Sequence, residues 1–289
     1  YLRDLNGTPV FAQWKEYASY SKEKISQLYQ SEEKAKDAID YYCCLQFILH
    51  VQLLAASDYA RKKGVLLKGD IPIGISPNSV EAWTEPHYFN LNSQAGAPPD
   101  PFSAKGQNWG FPTYNWEEMA KDNYKWWKHR MRKMSEYFDA YRIDHILGFF
   151  RIWEIPSHSV EGLLGQFVPS LGLSVEEIER YGLHFRKDTF TKPYISQSIV
   201  SDLFGELAES VKQTYLCKIT PHEFCLLPAF NTQRKIEAYF EGKNDPESIR
   251  IKEGLFALVN NVLFVVDHQN DSLFHPRIAV QDSPAFHSL

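Results

Sequence analysis

Cysteine is scarce in this sequence, with four in 289 residues: Cys43, Cys44, Cys217 and Cys225. None forms a Cys-x-x-Cys pair and none lies beside a pair of histidines, which argues against a zinc site and against a disulfide framework. The thiols are therefore expected reduced. No apolar run approaches the roughly 20 residues of a membrane-spanning helix, and no charged-then-apolar leader opens the chain at Tyr1. A cytoplasmic location and no membrane partner are the resulting expectations. Charge of one sign is also missing: 31 basic residues against 36 acidic ones leave a net charge of -5 at pH 7, too mild to make nucleic acid the main partner. There is no internal repeat, no low-complexity segment, and no motif for a metal or an organic cofactor.

What the chain does have is a soluble, core-forming balance, with 44% hydrophobic and 23% charged residues. Aromatics are dense, at 7 Trp, 16 Tyr and 19 Phe, and many lie between Trp83 and Trp153. Sugar rings stack their C–H faces on aromatics while their hydroxyls seek polar partners, so the cluster fits a carbohydrate cleft. Ordinary core packing explains such aromatics more often.

Apolar residues recur at helical spacing from Glu33 to Lys63 (Ala38, Tyr41, Tyr42, Leu45, Ile48, Leu49, Leu53, Ala56), and Gly64 follows a basic last turn. Val65 to Ile73 reads as a buried strand ending near Asp70. The Pro- and Gly-bearing stretch from Ile75 to Pro112 reads as a long loop. A second helix is expected from Trp116 to Phe138, feeding a strand that ends at Asp144. Two helix-then-strand units imply a (β/α) barrel or an open parallel sheet, with Asp70 and Asp144 on one rim, at the carboxyl ends of the strands. Beyond Ile155 the reading is a mostly helical segment, with helices over Glu161–Phe167, Val175–Arg180, Ile199–Lys212 and Gln233–Tyr239 and a strand near Leu263–Val266.

Arg142-Ile143-Asp144-His145 is the sharpest short motif, because alternation on a strand puts Arg142 and Asp144 on one face. It follows, in order, Gly69-Asp70-Ile71-Pro72-Ile73-Gly74, then Gly96-Ala97-Pro98-Pro99-Asp100-Pro101-Phe102, then Gly106-Gln107-Asn108-Trp109-Gly110-Phe111-Pro112-Thr113-Tyr114. Together these stretches resemble the 4-α-glucanotransferases, the amylomaltase and disproportionating-enzyme family. The resemblance implies part of a (β/α)8 TIM-type barrel and transfer of glucosyl or maltooligosyl units between α-1,4-glucans, with retention of configuration and without a cofactor. It implies Asp144 as nucleophile, Arg142 as the residue orienting it, and His145 and Asp70 as sugar-binding residues. Pro98, Asp100, Phe102, Gln107 and Trp109 would belong to a loop over the acceptor, where Phe102 and Trp109 stack on glucose.

The sequence also departs from the family. No Gly-Glu-Asp-Leu-Gly type motif supplies the general acid/base, and no Thr-His-Asp type motif supplies the third carboxylate; Gly205-Glu206 and Asp267-His268 do not substitute. The expectation is therefore an incomplete portion of a larger enzyme, with residues 1–156 a catalytic barrel portion and 157–289 a helical insertion with barrel continuation. Its own turnover should be near zero. The alternative is a non-catalytic barrel portion that grips α-glucan through Trp109 and Phe102.

Overall fold

The computed structural model describes residues 1–288. In chain order its strands are β1 (Lys68–Ile71), β2 (Phe89–Asn90), β3 (Ser93–Ala97), β4 (Gln107–Asn108), β5 (Thr113–Tyr114), β6 (Ala140–Ile143), β7 (Ile152–Pro156), β8 (Gln166–Val168), β9 (Ile195–Ser196), β10 (Leu216–Lys218), β11 (Glu223–Leu226), β12 (Phe264–Val266) and β13 (Phe274–Pro276). Its main helices are α1 (Lys22–Ser31), α2 (Glu33–Lys62), α3 (Trp116–Lys121), α4 (Lys125–Tyr137), α5 (Gln197–Phe204), α6 (Ala208–Tyr215), α7 (Gln233–Tyr239) and α8 (Pro246–Val259). The architecture is mixed α/β. The chain forms two compact units that interleave in sequence: residues 1–91 with 110–149, and residues 92–109 with 150 onward.

In the first unit, β1 and β6 pair in parallel, Lys68 opposite Ala140 and Asp70 opposite Arg142. Each is preceded by a helix, the arrangement the spacing predicts. Gly69 allows the close approach of α4, since a Cβ there would lie 2.6 Å from a ring carbon of Phe138. The expected Trp116–Phe138 helix is broken in two. Asn123 and Tyr124 adopt left-handed backbone (φ 60° and 58°), and the Asp122 carboxylate accepts from the Lys125 N–H at 3.1 Å, so the chain stops and restarts. The aromatics packed here are core: Phe89, Tyr114 and Trp127 are buried, and Trp127 lies 5.3 Å from Tyr114 and 5.0 Å from Phe149. Burial pushes the Tyr114 hydroxyl up to about 12 against the opposing pull of Arg130.

Helix α2 has the expected bounds but not the expected packing. Only Ala35 and Ser57 are buried, whereas Tyr41, Phe47, Leu49 and Val51 are exposed. The helix is also long and apolar enough to cross a membrane by length and composition. This corrects the expectation of no such stretch. Residues 41–57 carry no charged side chain, yet Gln46, His50 and Gln52 interrupt them, so no continuous apolar run is visible to the eye.

The second unit is built on a four-stranded antiparallel sheet, β4-β3-β7-β8. The stretch read as a loop supplies β3 and β4. Ser-Gln-Ala-Gly-Ala has no hydrophobic alternation, and Gly96 is needed because a Cβ there would fall 2.1 Å from the Gln107 carbonyl oxygen. A helical layer of α5, α6, α7 and α8 packs around fully buried Val200, Phe204, Val211, Leu255 and Leu258. Past Ser157 the chain is less helical than expected, because β9, β10 and β11 form a small sheet beside these helices. Glu161 pins the layer: its carboxylate accepts from Gln233 (3.0 Å), Asn260 (2.6 Å) and Lys105 (2.8 Å), while Gln233 Oε1 accepts from the Val160 and Glu161 N–H groups.

The expectation of reduced thiols is corrected for one pair. Cys217 and Cys225 stand directly opposite on β10 and β11, with a Cα–Cα distance of 5.2 Å, and form a disulfide. The turn between the strands creates a juxtaposition that linear spacing does not announce. Cys43 and Cys44 are free and exposed.

Candidate active site

The rim of the first unit is set by the register of β1 and β6. Asp70 and Arg142 face each other as ladder partners, and Asp144 follows β6 directly, its N–H donating to the Ile71 carbonyl at 3.2 Å. The Arg142 guanidinium spans both acids, donating through Nη1 to Asp70 Oδ2 at 3.1 Å and through Nη2 to Asp144 Oδ1 at 2.9 Å. All three side chains are more than half exposed, between 54% and 63%. Ion pairs that open to water contribute about 0–1 kcal/mol to stability, so fold stability does not account for this clasp. What it does is fix two carboxylates and one fork-shaped donor on the same strand ends.

His145 follows at φ 46°, left-handed backbone that few non-glycine residues adopt. Its carbonyl accepts from the Gly148 N–H at 2.8 Å, opening a short 3-10 turn over Ile146–Phe149. Gly148 is required by that turn, since a Cβ would sit 2.6 Å from the His145 ring.

The other five expected residues lie in the second unit. Asp100 closes its own turn: Oδ1 accepts from the N–H groups of Phe102 (2.8 Å) and Ser103 (2.7 Å). Pro98 precedes that turn, and Phe102 projects from it, 98% exposed. Gln107 begins β4, opposite Ala97, and accepts from the Trp109 indole N–H at 3.2 Å. The Trp109 N–H donates to the Ala95 carbonyl at 3.0 Å, so the sheet itself holds the base of the loop.

A further polar group in the second unit joins residues far apart in sequence. Glu154 on β7 is buried and lies 3.4 Å from His268 Nδ1. Asp267 accepts from Gln166 (3.3 Å) and pairs with His275 Nε2 at 2.7 Å. Burial alone would raise the Asp267 carboxyl, but His275 and the N–H groups of Gln269 and Asn270 outweigh it and hold the group below the ordinary 3.8. Sequence reading did not single out this cluster, because 114 residues separate Glu154 from His268 and no short motif spans them. Among the described residues no group of His, Cys, Asp or Glu could hold a metal ion.

A family model described as 4-alpha-glucanotransferase matches residues 1–224. The chain belongs to the 4-α-glucanotransferase family. A 4-alpha-glucanotransferase DPE2 of Oryza sativa subsp. japonica is 42% identical over the full chain, which spans 31% of that relative. The 4-alpha-glucanotransferases of Chlamydia pneumoniae (42% identical) and of Solanum tuberosum, chloroplastic/amyloplastic (39% identical), align with 47% and 50% of the chain, each alignment covering 25% of the relative. Among solved structures, an amylomaltase of Streptococcus agalactiae in complex with acarbose superposes with a TM-score of 0.54 at 24% identity, covering 89% of this chain and 59% of that one. That likeness concerns the fold. Within the 4-α-glucanotransferase family, this chain thus represents under a third of the rice relative's length.

Proposed function

We propose that this chain is the nucleophile-bearing portion of an enzyme that transfers glucosyl or maltooligosyl units between α-1,4-glucans, and that β1 and β6 are two strands of a (β/α)8 barrel. In this reading residues 1–156 are the barrel portion and 157–289 an insertion with barrel continuation. The observation that carries it is the guanidinium of Arg142 bridging Asp70 and Asp144 at the carboxyl ends of two parallel strands. Barrel enzymes place their chemistry at those ends.

The reaction is a double displacement. An Asp144 carboxylate oxygen bonds to the anomeric carbon of the donor as the glycosidic C–O bond breaks, and the departing oxygen takes a proton from a carboxylic acid about 5 Å from the nucleophile. The hydroxyl of an acceptor glucan then returns that proton and displaces Asp144, which restores the original configuration. Arg142 holds the attacking oxygen aimed, Asp70 and His145 bind the sugar beside it, and Pro98, Asp100, Gln107, Phe102 and Trp109 cover the acceptor. Excluding water is what lets a sugar hydroxyl, and not hydrolysis, finish the reaction. The acid lies outside these 289 residues in this reading, so the chain alone turns over near zero; a missing general acid costs about 10²–10⁴-fold. The reaction needs no cofactor.

The test is to incubate this chain, and the full-length protein, with maltotriose or with glycogen plus maltose and to separate the products by chromatography. Disproportionation by the full-length protein, lost by about 10⁴-fold or more in Asp144→Asn, is the expected result. Transfer by the 289-residue chain alone would show that an acid lies within it. Products that ignore added maltose would make the enzyme a hydrolase.

A further inference from the structure

A cavity of about 440 Å³ opens within the second unit, lined by the polar Ser93, Glu154, His158 and His268 together with the apolar Val262 and Phe264. We infer that this cavity is a saccharide-binding site of its own, shaped for one or two hexose units and separate in its residues from the Asp144 clasp.

Three features of the lining choose the ligand class. First, charge: Glu154 is the sole carboxylate among the described lining residues, no lysine or arginine is present, and His268 stands 3.4 Å from Glu154. An anion would meet Glu154 without a compensating cation, and a cation would compete with His268 for the same oxygen. An uncharged ligand incurs neither cost. Second, polarity: Ser93, Glu154, His158 and His268 all line the cavity, so a purely apolar ligand would cover polar groups without offering them hydrogen bonds. A ligand rich in hydroxyls donates to Glu154 with charge-assisted bonds. Third, the apolar share: Leu164, Val259, Val262 and Phe264 line the same cavity as the polar groups, and the exposed Asn92 and Asn231 add carboxamides. A pyranose, with C–H bonds on its face and hydroxyls around its rim, fits that mixture.

The polar groups are also held in place. Glu154 sits in the middle of β7, paired to Ala95 on one side and Gln166 on the other, and His268 follows β12. Loss of hydration around its ring, and then the neighbouring His268, hold the His158 imidazole below the ordinary 6.5. At neutral pH it is available both to accept and to donate. The choice of maltose-type sugars as the ligand rests on the α-glucan reading proposed above; the charge and polarity argument for an uncharged saccharide does not.

The experiment titrates the 289-residue chain with maltose and maltotriose by calorimetry, with inorganic phosphate as a charged control. Glu154→Gln, which keeps the shape but removes the charge, should weaken maltose binding about tenfold or more. Asn231→Trp, at an exposed position where folding is not at stake, should fill the mouth and abolish it. Asp144→Asn should leave this titration unchanged. If maltose binding survives both cavity variants, the sugar is held elsewhere on the chain and the inference is overturned while the α-glucan reading stands. If neither sugar binds, or phosphate binds where they do not, the ligand class is wrong. A failed transfer assay on the full-length protein would overturn the proposed function alone, because this titration does not depend on turnover.

Discussion

Arg142 is the residue on which the proposed chemistry turns, and its two bonds run to different acids on different strands. A planar fork can satisfy both at fixed angles; an ammonium is a single point of charge. Arg142→Lys is therefore expected to lower kcat of the full-length enzyme about 10- to 100-fold, a loss of about 1.4–2.7 kcal/mol of transition-state stabilisation, while the melting temperature stays within error. A large loss of melting temperature with little change in kcat would make the clasp structural. Gln233 gives the opposite kind of residue. It is fully buried, accepts two backbone N–H groups and donates to Glu161. Gln233→Ala leaves those donors without a partner and should cost about 2–4 kcal/mol in denaturant unfolding, with no effect on the clasp. Asp267 governs acid stability locally. Its folded-state carboxyl titrates below the ordinary 3.8, so the stabilisation is complete above that value and is lost as pH falls through the lower folded value. Asp267→Asn should flatten the acid limb of a stability-versus-pH curve below about pH 4, and an unchanged limb would sink the assignment. At this scale the clasp was legible: period-two alternation puts residues 142 and 144 together, and strand ends put Asp70 beside them. Glu154 with His268 was not, since contacts across a sheet leave no spacing rule to read.

Elements were legible where local chemistry sets them. Residues 175–180 and 233–239 form helices as read, each introduced by a side-chain cap, Ser174 and Thr232, whereas the helix expected over Glu161–Phe167 is a 3-10 turn at Gly162–Leu164 followed by β8. Helix α8 escaped notice although Asp245 caps it and Pro246 occupies its first position, signals that a run containing Arg250, Lys252 and Glu253 obscured. The expected helix over Ile199–Lys212 is divided at Gly205, whose φ of 57° ends α5 before α6 begins. Within this layer Leu255 is wholly buried, and Leu255→Ala should cost about 2–5 kcal/mol, read from the denaturation midpoint. The Cys217–Cys225 bond closes a short hairpin, with a sequence separation of 8, so chain-entropy arguments assign it only about 2–3 kcal/mol. Reduction should lower the melting temperature by several degrees without releasing the clasp. Equal melting with and without reductant would mean the link adds no stability.

At the scale of the whole molecule, the parallel pair β1-β6 was legible because each strand follows its own amphipathic helix. What covers α2 was not, because periodicity reports that a face is apolar and says nothing of what it meets. Tyr41, Phe47, Ile48, Leu49, Val51 and Tyr59 are each at least 45% exposed on that helix, a broader apolar surface than monomers usually present. The 289-residue chain is thus expected to bind apolar dyes and to self-associate with rising concentration in light scattering. Phe47→Glu with Leu49→Lys should reverse both, and a monodisperse, dye-silent parent chain would contradict the exposure.

The interleaving of the two units also orders events during synthesis. Strand β3 leaves the ribosome early, at residue 97, yet its partner β7 is complete only at residue 156, after all of the first unit's second segment. The first unit can pair β1 with β6 once residue 143 has emerged. For the interval between, the Ser93–Trp109 stretch can pair β3 only with β4, and the edge of β3 that will meet β7 stays open. A delay before Ile152 clears the ribosome would lengthen that exposure, and one once Val168 has cleared it would let the four-stranded sheet close before the helical layer emerges.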